Sequence, residues 1–183
     1  MASFSSLFDP PELQTSDYVY EAKYLLAYRM SLFLAVTIGI LDISLFIYFN
    51  LTTALVALVA LLFVVWAIYQ IRKTGKYLVP ILIFNLVGAM ACLVTLFGVK
   101  DQPHMVDMIW MVINILFTFI VVGQRWGIII SAVHALSITF YYLFLSQDQL
   151  HLIRNLTDEQ VYTTGINVFI GFLIISYLSW QNI

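Results

Sequence analysis

Hydrophobic positions along this chain gather into six runs of about twenty residues, at 30–50, 51–71, 77–98, 105–123, 127–146 and 161–181, with short polar breaks between them. A helix of that length crosses the ~30 Å of hydrocarbon in a bilayer. The pattern therefore predicts an all-α polytopic membrane protein with six transmembrane helices. The first two runs nearly abut around Asn50-Leu51-Thr52-Thr53, which predicts a tight helical hairpin whose turn caps the second helix. Ahead of them, Tyr20, Tyr24 and Tyr28 lie four residues apart on one helical stripe. With Ser16 as N-cap, this segment reads as a short amphipathic cytoplasmic helix over 16–29, its rings in the headgroup layer where tyrosine gathers. Residues 1–15 read as a cytoplasmic tail and 30–183 as the helical bundle, so 1–183 is one domain.

Composition changes this picture only by sharpening it. The chain is 62% hydrophobic and 10% charged, more apolar surface than a soluble core of 183 residues can hide, so the bilayer is the expected partner. Eight basic against ten acidic residues leave a net charge of −2, and no nucleic-acid partner is expected. The basic residues are unevenly placed. Lys23, Arg29, Arg72, Lys73, Lys76 and Arg125 fall on one side of the predicted spans, and Lys100 and Arg154 on the other. By the positive-inside bias this is a multi-pass protein of the cell membrane with both termini cytoplasmic. The start of the chain lacks a basic leader and a small-residue cleavage site, so no secretory signal is expected. The four tryptophans stand near helix ends as interface anchors. The lone Cys92 allows no intrachain disulfide and reads as a packing residue.

Candidate chemistry lies where polar side chains enter the runs. Asp42 is the one formally charged residue deep inside them, Asp107 standing at the edge of the fourth, and a carboxylate in hydrocarbon costs about 2.5–3.5 kcal/mol on insertion scales. Counted from the predicted cytoplasmic ends, Asn85, Asn114 and His134 all lie roughly 10–13 Å deep on three different helices. Asp42 lies nearer the midplane and Asn167 closer to the outside. Small residues accompany them on the same faces: Ala35 and Gly39 with Asp42, Gly88 and Cys92 with Asn85, Ser131, Ala135 and Thr139 with His134, Gly171 with Asn167. Such faces pack against other helices. The asparagines read first as polar glue, whereas Asp42 and His134 titrate and are equally candidates to hold a proton, a cation or a polar ligand.

Several chemistries are excluded. No lysine stands in a span, which rules out a retinal Schiff base, and there is no arginine ladder, paired-cysteine or HExxH metal motif, or Gly-rich phosphate loop. His104 with Asp107 and His151 with Asp148 are the weak metal candidates outside the membrane, where polar-loop histidines are usually solvated. No cofactor is expected, and no catalytic motif points to an enzyme.

The short N-terminal helix, the tight first hairpin, the basic turn Arg72-Lys73-Thr74-Gly75-Lys76-Tyr77, the inner turn Gly123-Gln124-Arg125-Trp126-Gly127 and the ending Leu178-Ser179-Trp180-Gln181-Asn182-Ile183 together resemble the six-helix N-terminal membrane domains of bacterial sensor histidine kinases and of some membrane-bound nucleotide cyclases. The resemblance covers most of the chain. It implies a homodimeric bacterial inner-membrane sensor whose sixth helix relays a small-molecule ligand or membrane state to a cytoplasmic effector domain, here the membrane part of a longer receptor. Gly165 and Gly171 would then let the paired sixth helices approach. Two other classes share the size and helix count: a substrate-binding subunit of an uptake transporter, and a proton-coupled carrier or channel using Asp42 and His134.

The topology has a direct test. Cysteines introduced at Gln102 and Gln149 should react with an impermeant thiol reagent in intact cells. Protection of both would invert the orientation.

Overall fold

The computed structural model describes residues 17–47, 51–99, 104–144 and 157–181. Among these there are only helices: α1 Tyr18–Ile47, α2 Leu51–Thr74, α3 Leu78–Gly98, α4 Met105–Phe117 running on into a π-helical turn Thr118–Val122, α5 Gln124–Phe144 and α6 Asp158–Gln181. Four of them, α1, α2, α3 and α5, are long and apolar enough to cross a membrane; 106–122 is a shorter apolar helix. All-helical architecture follows from the solvent, because hydrocarbon offers no partner to a backbone N–H or C=O outside its own helix.

Local chemistry sets the ends. Asp17 caps α1, its Oδ1 accepting from the N–H groups of Val19 and Tyr20 at 3.0 and 3.1 Å, so the cap lies one residue beyond the expected Ser16, which is outside the described residues. Gly75, at φ +66°, closes α2 with its N–H on the Ile71 carbonyl, and Pro80 sits in the first turn of α3, where its missing N–H removes no helical bond. Thr157 and Gln160 form the expected capping box of α6: each side chain accepts from the other's backbone N–H, at 2.9 and 3.3 Å. The turn of the first hairpin, His151 and Asp148 lie outside the described residues.

The separate interfacial helix is replaced by something simpler. No proline interrupts 18–47, its one glycine, Gly39, stands well past the expected break near residue 30, and α1 is a single helix of 30 residues, ~45 Å long at about 1.5 Å per residue. Tyr24 and Tyr28 are fully buried in protein, not laid in headgroups. Tyr20 packs on Tyr77, ring centroids 5.2 Å apart, and ties α1 to the turn between α2 and α3. A four-residue tyrosine repeat fits a membrane surface and a helix interface equally, and the interface prevails here.

Packing order defines the architecture. α1 packs on α2, α2 on α3, α3 on α4, α4 on α6 and α6 on α1, a closed ring of five helices, while α5 lies outside it against α3, α4 and the π turn. Exposed stripes such as Val36, Ile40, Ile43 and Ile47 on α1 face away from the ring. One half of the bundle is solid, filled by Tyr24, Tyr28, Ile71, Tyr77, Ile81, Val121 and Ile174. The other half is hollow.

Two glycines expected to serve a dimer contact separate. A Cβ on Gly171 would collide with Ile109 of α4, whereas one on Gly165 would meet nothing. Gly171→Ala should therefore destabilise the protein by about 1–3 kcal/mol through overpacking, while Gly165→Ala should be neutral or stabilising. Thermal unfolding of both variants in one detergent decides it, and equal melting temperatures would refute the α4–α6 contact.

Candidate functional site

At the boundary between the solid and hollow halves, the polar residues of α3, α4 and α5 meet. Asn85, Asn114 and His134, expected to share a layer, are joined by hydrogen bonds, and the direction of each bond is dictated by the one before. Asn85 Nδ2 donates to the Ile81 carbonyl at 2.9 Å. A carbonyl only accepts, so the Asn85 amide oxygen must be the end that faces Asn114. Asn114 Nδ2 donates to that oxygen at 3.3 Å and to the Asn85 backbone carbonyl at 3.1 Å. Asn114 Oδ1 is thereby left as an acceptor, 3.2 Å from His134 Nε2, which must carry the proton. His134 Nδ1, fully buried, ends the chain without a partner among the described residues.

Two neighbours make this possible. Gly88 leaves room for the Asn114 amide: a Cβ there would stand 3.0 Å from Asn114 Nδ2. Thr118, the first residue of the π turn, donates to the Asn114 carbonyl at 2.6 Å and lies 3.3 Å from Asn85 Oδ1. The wider turn closes with the Gly123 N–H on the Thr118 carbonyl, and such turns often mark functional positions. Thr118 was not among the residues expected at the site; its place depends on a π turn that periodicity does not reveal.

Above this layer the five-helix ring encloses a cavity of about 590 Å³, within the range of small-molecule sites. Its lining follows α3 from Phe84 to Val99, about 22 Å. Among the described residues its mouth lies at the ends of α1 and α3 and the starts of α2, α4 and α6, and it ends at Phe84 and Phe117, whose rings stack edge to face at 6.4 Å. Asn85 and Asn114 belong to its wall, and His134 stands behind Asn114, outside it. Asn167 also lines it and accepts from Trp110 Nε1 at 3.1 Å. Trp110 is thus a cavity residue and not only an interface anchor.

Asp42 does not join them. It is buried on α1, beside a lining formed by Ile38, Leu41 and Leu45, with Oδ1 lacking a partner among the described residues. No hydrogen bond links it to Asn85, Asn114, His134 or Asn167. The expected small-residue face of α5 is also only partly inward: His134 is fully buried, Ser131 half-buried, and Ala135 and Thr139 exposed.

His104 and Asp107 differ most from expectation. Neither is a solvated loop residue: they are 1% and 6% exposed, with His104 Nδ1 2.6 Å from Asp107 Oδ2 and the imidazole edge-on to Tyr141 at 4.9 Å. Asp107 reaches the cavity wall near its mouth. No cluster of three or more potential metal ligands occurs among the described residues.

Asn114→Leu strands both the Asn85 amide oxygen and the His134 N–H, and should cost about 1–3 kcal/mol of stability. Pairing it with His134→Phe should recover part of that loss in a double-mutant cycle; strict additivity would mean the two side chains do not interact. Asp42→Asn, which removes a buried charge and keeps the shape, should melt no lower than the parent. A clear loss of stability would reveal a carboxylate partner.

Comparison with protein-family models, with curated proteins and with solved structures finds no match.

Proposed function

We propose that this chain is a six-span, membrane-embedded sensor domain: a small ligand enters the ring cavity and α6 carries its arrival to a cytoplasmic effector. The observation that carries the reading is the one-ended cavity, to whose wall α6 contributes Thr157, Gln160, Thr164 and Asn167 in successive turns. A ligand there touches the helix that would deliver the output. Because α6 is held in the ring by α1 and α4 among the described helices, contacts made in the cavity compete with its packing, and a shift between two packings follows from their differential affinity for ligand.

In this reading α4 with its π turn and α6 complete six spans. The basic residues Arg29, Arg72, Lys73 and Arg125 lie at the solid end, which becomes the cytoplasmic one. The mouth of the cavity then faces outward, and α6 ends inside as one strand of a dimer. The stacked Phe84 and Phe117 and the π turn against α1 close the inner end, which supports sensing over transport: a carrier must open that floor.

Occupancy can be imitated without a ligand. Ala91→Phe projects a ring into the cavity from α3. In the chain reconstituted in nanodiscs with a spin label at Gln181, the variant should change the label-to-label distance between two copies by a few Å. A monomeric particle, or identical distances in parent and filled variant, would overturn the sensor reading, and accumulation of cavity ligands inside proteoliposomes would replace it with a carrier.

A further inference from the structure

Two walls of the cavity differ in chemistry over most of its length. α1 presents Leu34, Ile38, Leu41 and Leu45, and the adjoining α2 adds Val56, Ala57 and Ala60 beyond Thr52 and Thr53 of its first turn. On the other flank of α1, α6 presents a hydrogen-bonding group in every turn from Thr157 to Asn167, about 15 Å, and the adjoining α4 adds Asp107 and Asn114. Polarity therefore varies around the cavity, not from mouth to floor. A molecule with an apolar tail beside α6 would leave the Thr164 hydroxyl facing hydrocarbon and would make no use of the polar groups above and below it.

Charge narrows the class further. Among the described residues no lysine or arginine lines the cavity, and the one carboxylate among them that does, Asp107, is held by His104. An anion would enter without a counter-charge and beside a negative group. Capacity for new hydrogen bonds remains: the Thr164 hydroxyl, half-buried in the polar wall, has no hydrogen-bond partner among the described residues.

We infer that the cavity binds an uncharged, elongated molecule that is amphipathic by face, with hydroxyl or carbonyl groups along one edge toward α6 and an aliphatic edge toward α1 and α2. The inference rests on the sensor reading only in taking the cavity as a ligand site.

Three steroid esters and acids isolate its terms: methyl cholate, neutral with three hydroxyls on one face; methyl cholanate, neutral without hydroxyls; and cholate, hydroxylated but anionic. Binding to the full chain in nanodiscs is measured by tryptophan fluorescence, with empty nanodiscs correcting for partition. Methyl cholate should bind at least tenfold more tightly than either comparison compound. Thr164→Val should weaken methyl cholate by about fivefold, the loss of one hydrogen bond, and leave methyl cholanate unchanged, while Thr164→Ser should restore parental affinity. Equal binding of the hydroxylated and hydroxyl-free esters, tighter binding of cholate, or no binding of methyl cholate would each overturn the assignment. If methyl cholate binds as expected and α6 does not move, the ligand class stands and the sensor role fails; if Ala91→Phe moves α6 and the hydroxyl-free ester binds best, the reverse holds.

Discussion

An amide in hydrocarbon cannot turn to water for a missing hydrogen bond, and the arrangement of three helices follows from that constraint. Asn85 satisfies one end of its amide on its own helix. The other end then requires a donor from α4, and Asn114 in turn requires one from α5. Each helix is fixed to the next by a bond whose polarity is already decided. Apolar burial supplies little preference for one helix register over another when lipid is the competing solvent. The asparagine and histidine layer supplies it instead.

That layer also separates two kinds of interior. Toward one end the helices are filled by tyrosines and aliphatic side chains in close contact. Toward the other they stand around a space, and the walls of that space are held by local bonds: Thr95 to its own helix, Asn167 to Trp110, Asp107 to His104. A hollow of this size persists because most of its polar wall is satisfied and its ring of neighbours is complete. Filling it with side chains would have been the more stabilising solution, so its presence is itself a reason to look for an occupant.

Much of this was legible in the sequence. Helix positions follow from the apolar runs: 51–71 became Leu51–Thr74 and 77–98 became Leu78–Gly98. The common depth of Asn85, Asn114 and His134 came from counting residues, and the capping box from Thr157 and Gln160. What was hidden has physical causes. Tyr24 and Tyr28 carry a period shared by protein and membrane surfaces. Asp42 offered a charge, but a single chain does not say which neighbour its face meets, and that neighbour is none of the expected ones. His104 and Asp107 stand in a polar segment whose burial depends on Tyr141, thirty-odd residues away. The cavity is a property of the ring, visible in no helix alone.

The π turn at Thr118–Val122 sets the phase of everything after it. Each residue advances an α-helix by about 100°, so a turn that accommodates an additional residue offsets the following chain by that angle relative to an ordinary helix. Gly123, at φ +120°, then turns the chain out of the helix, and α5 returns His134 to Asn114. The residue of slack in α4 thus falls between the two ends of the polar chain, with Thr118 holding the Asn114 carbonyl on one side of it and the Gly123 N–H closing it on the other.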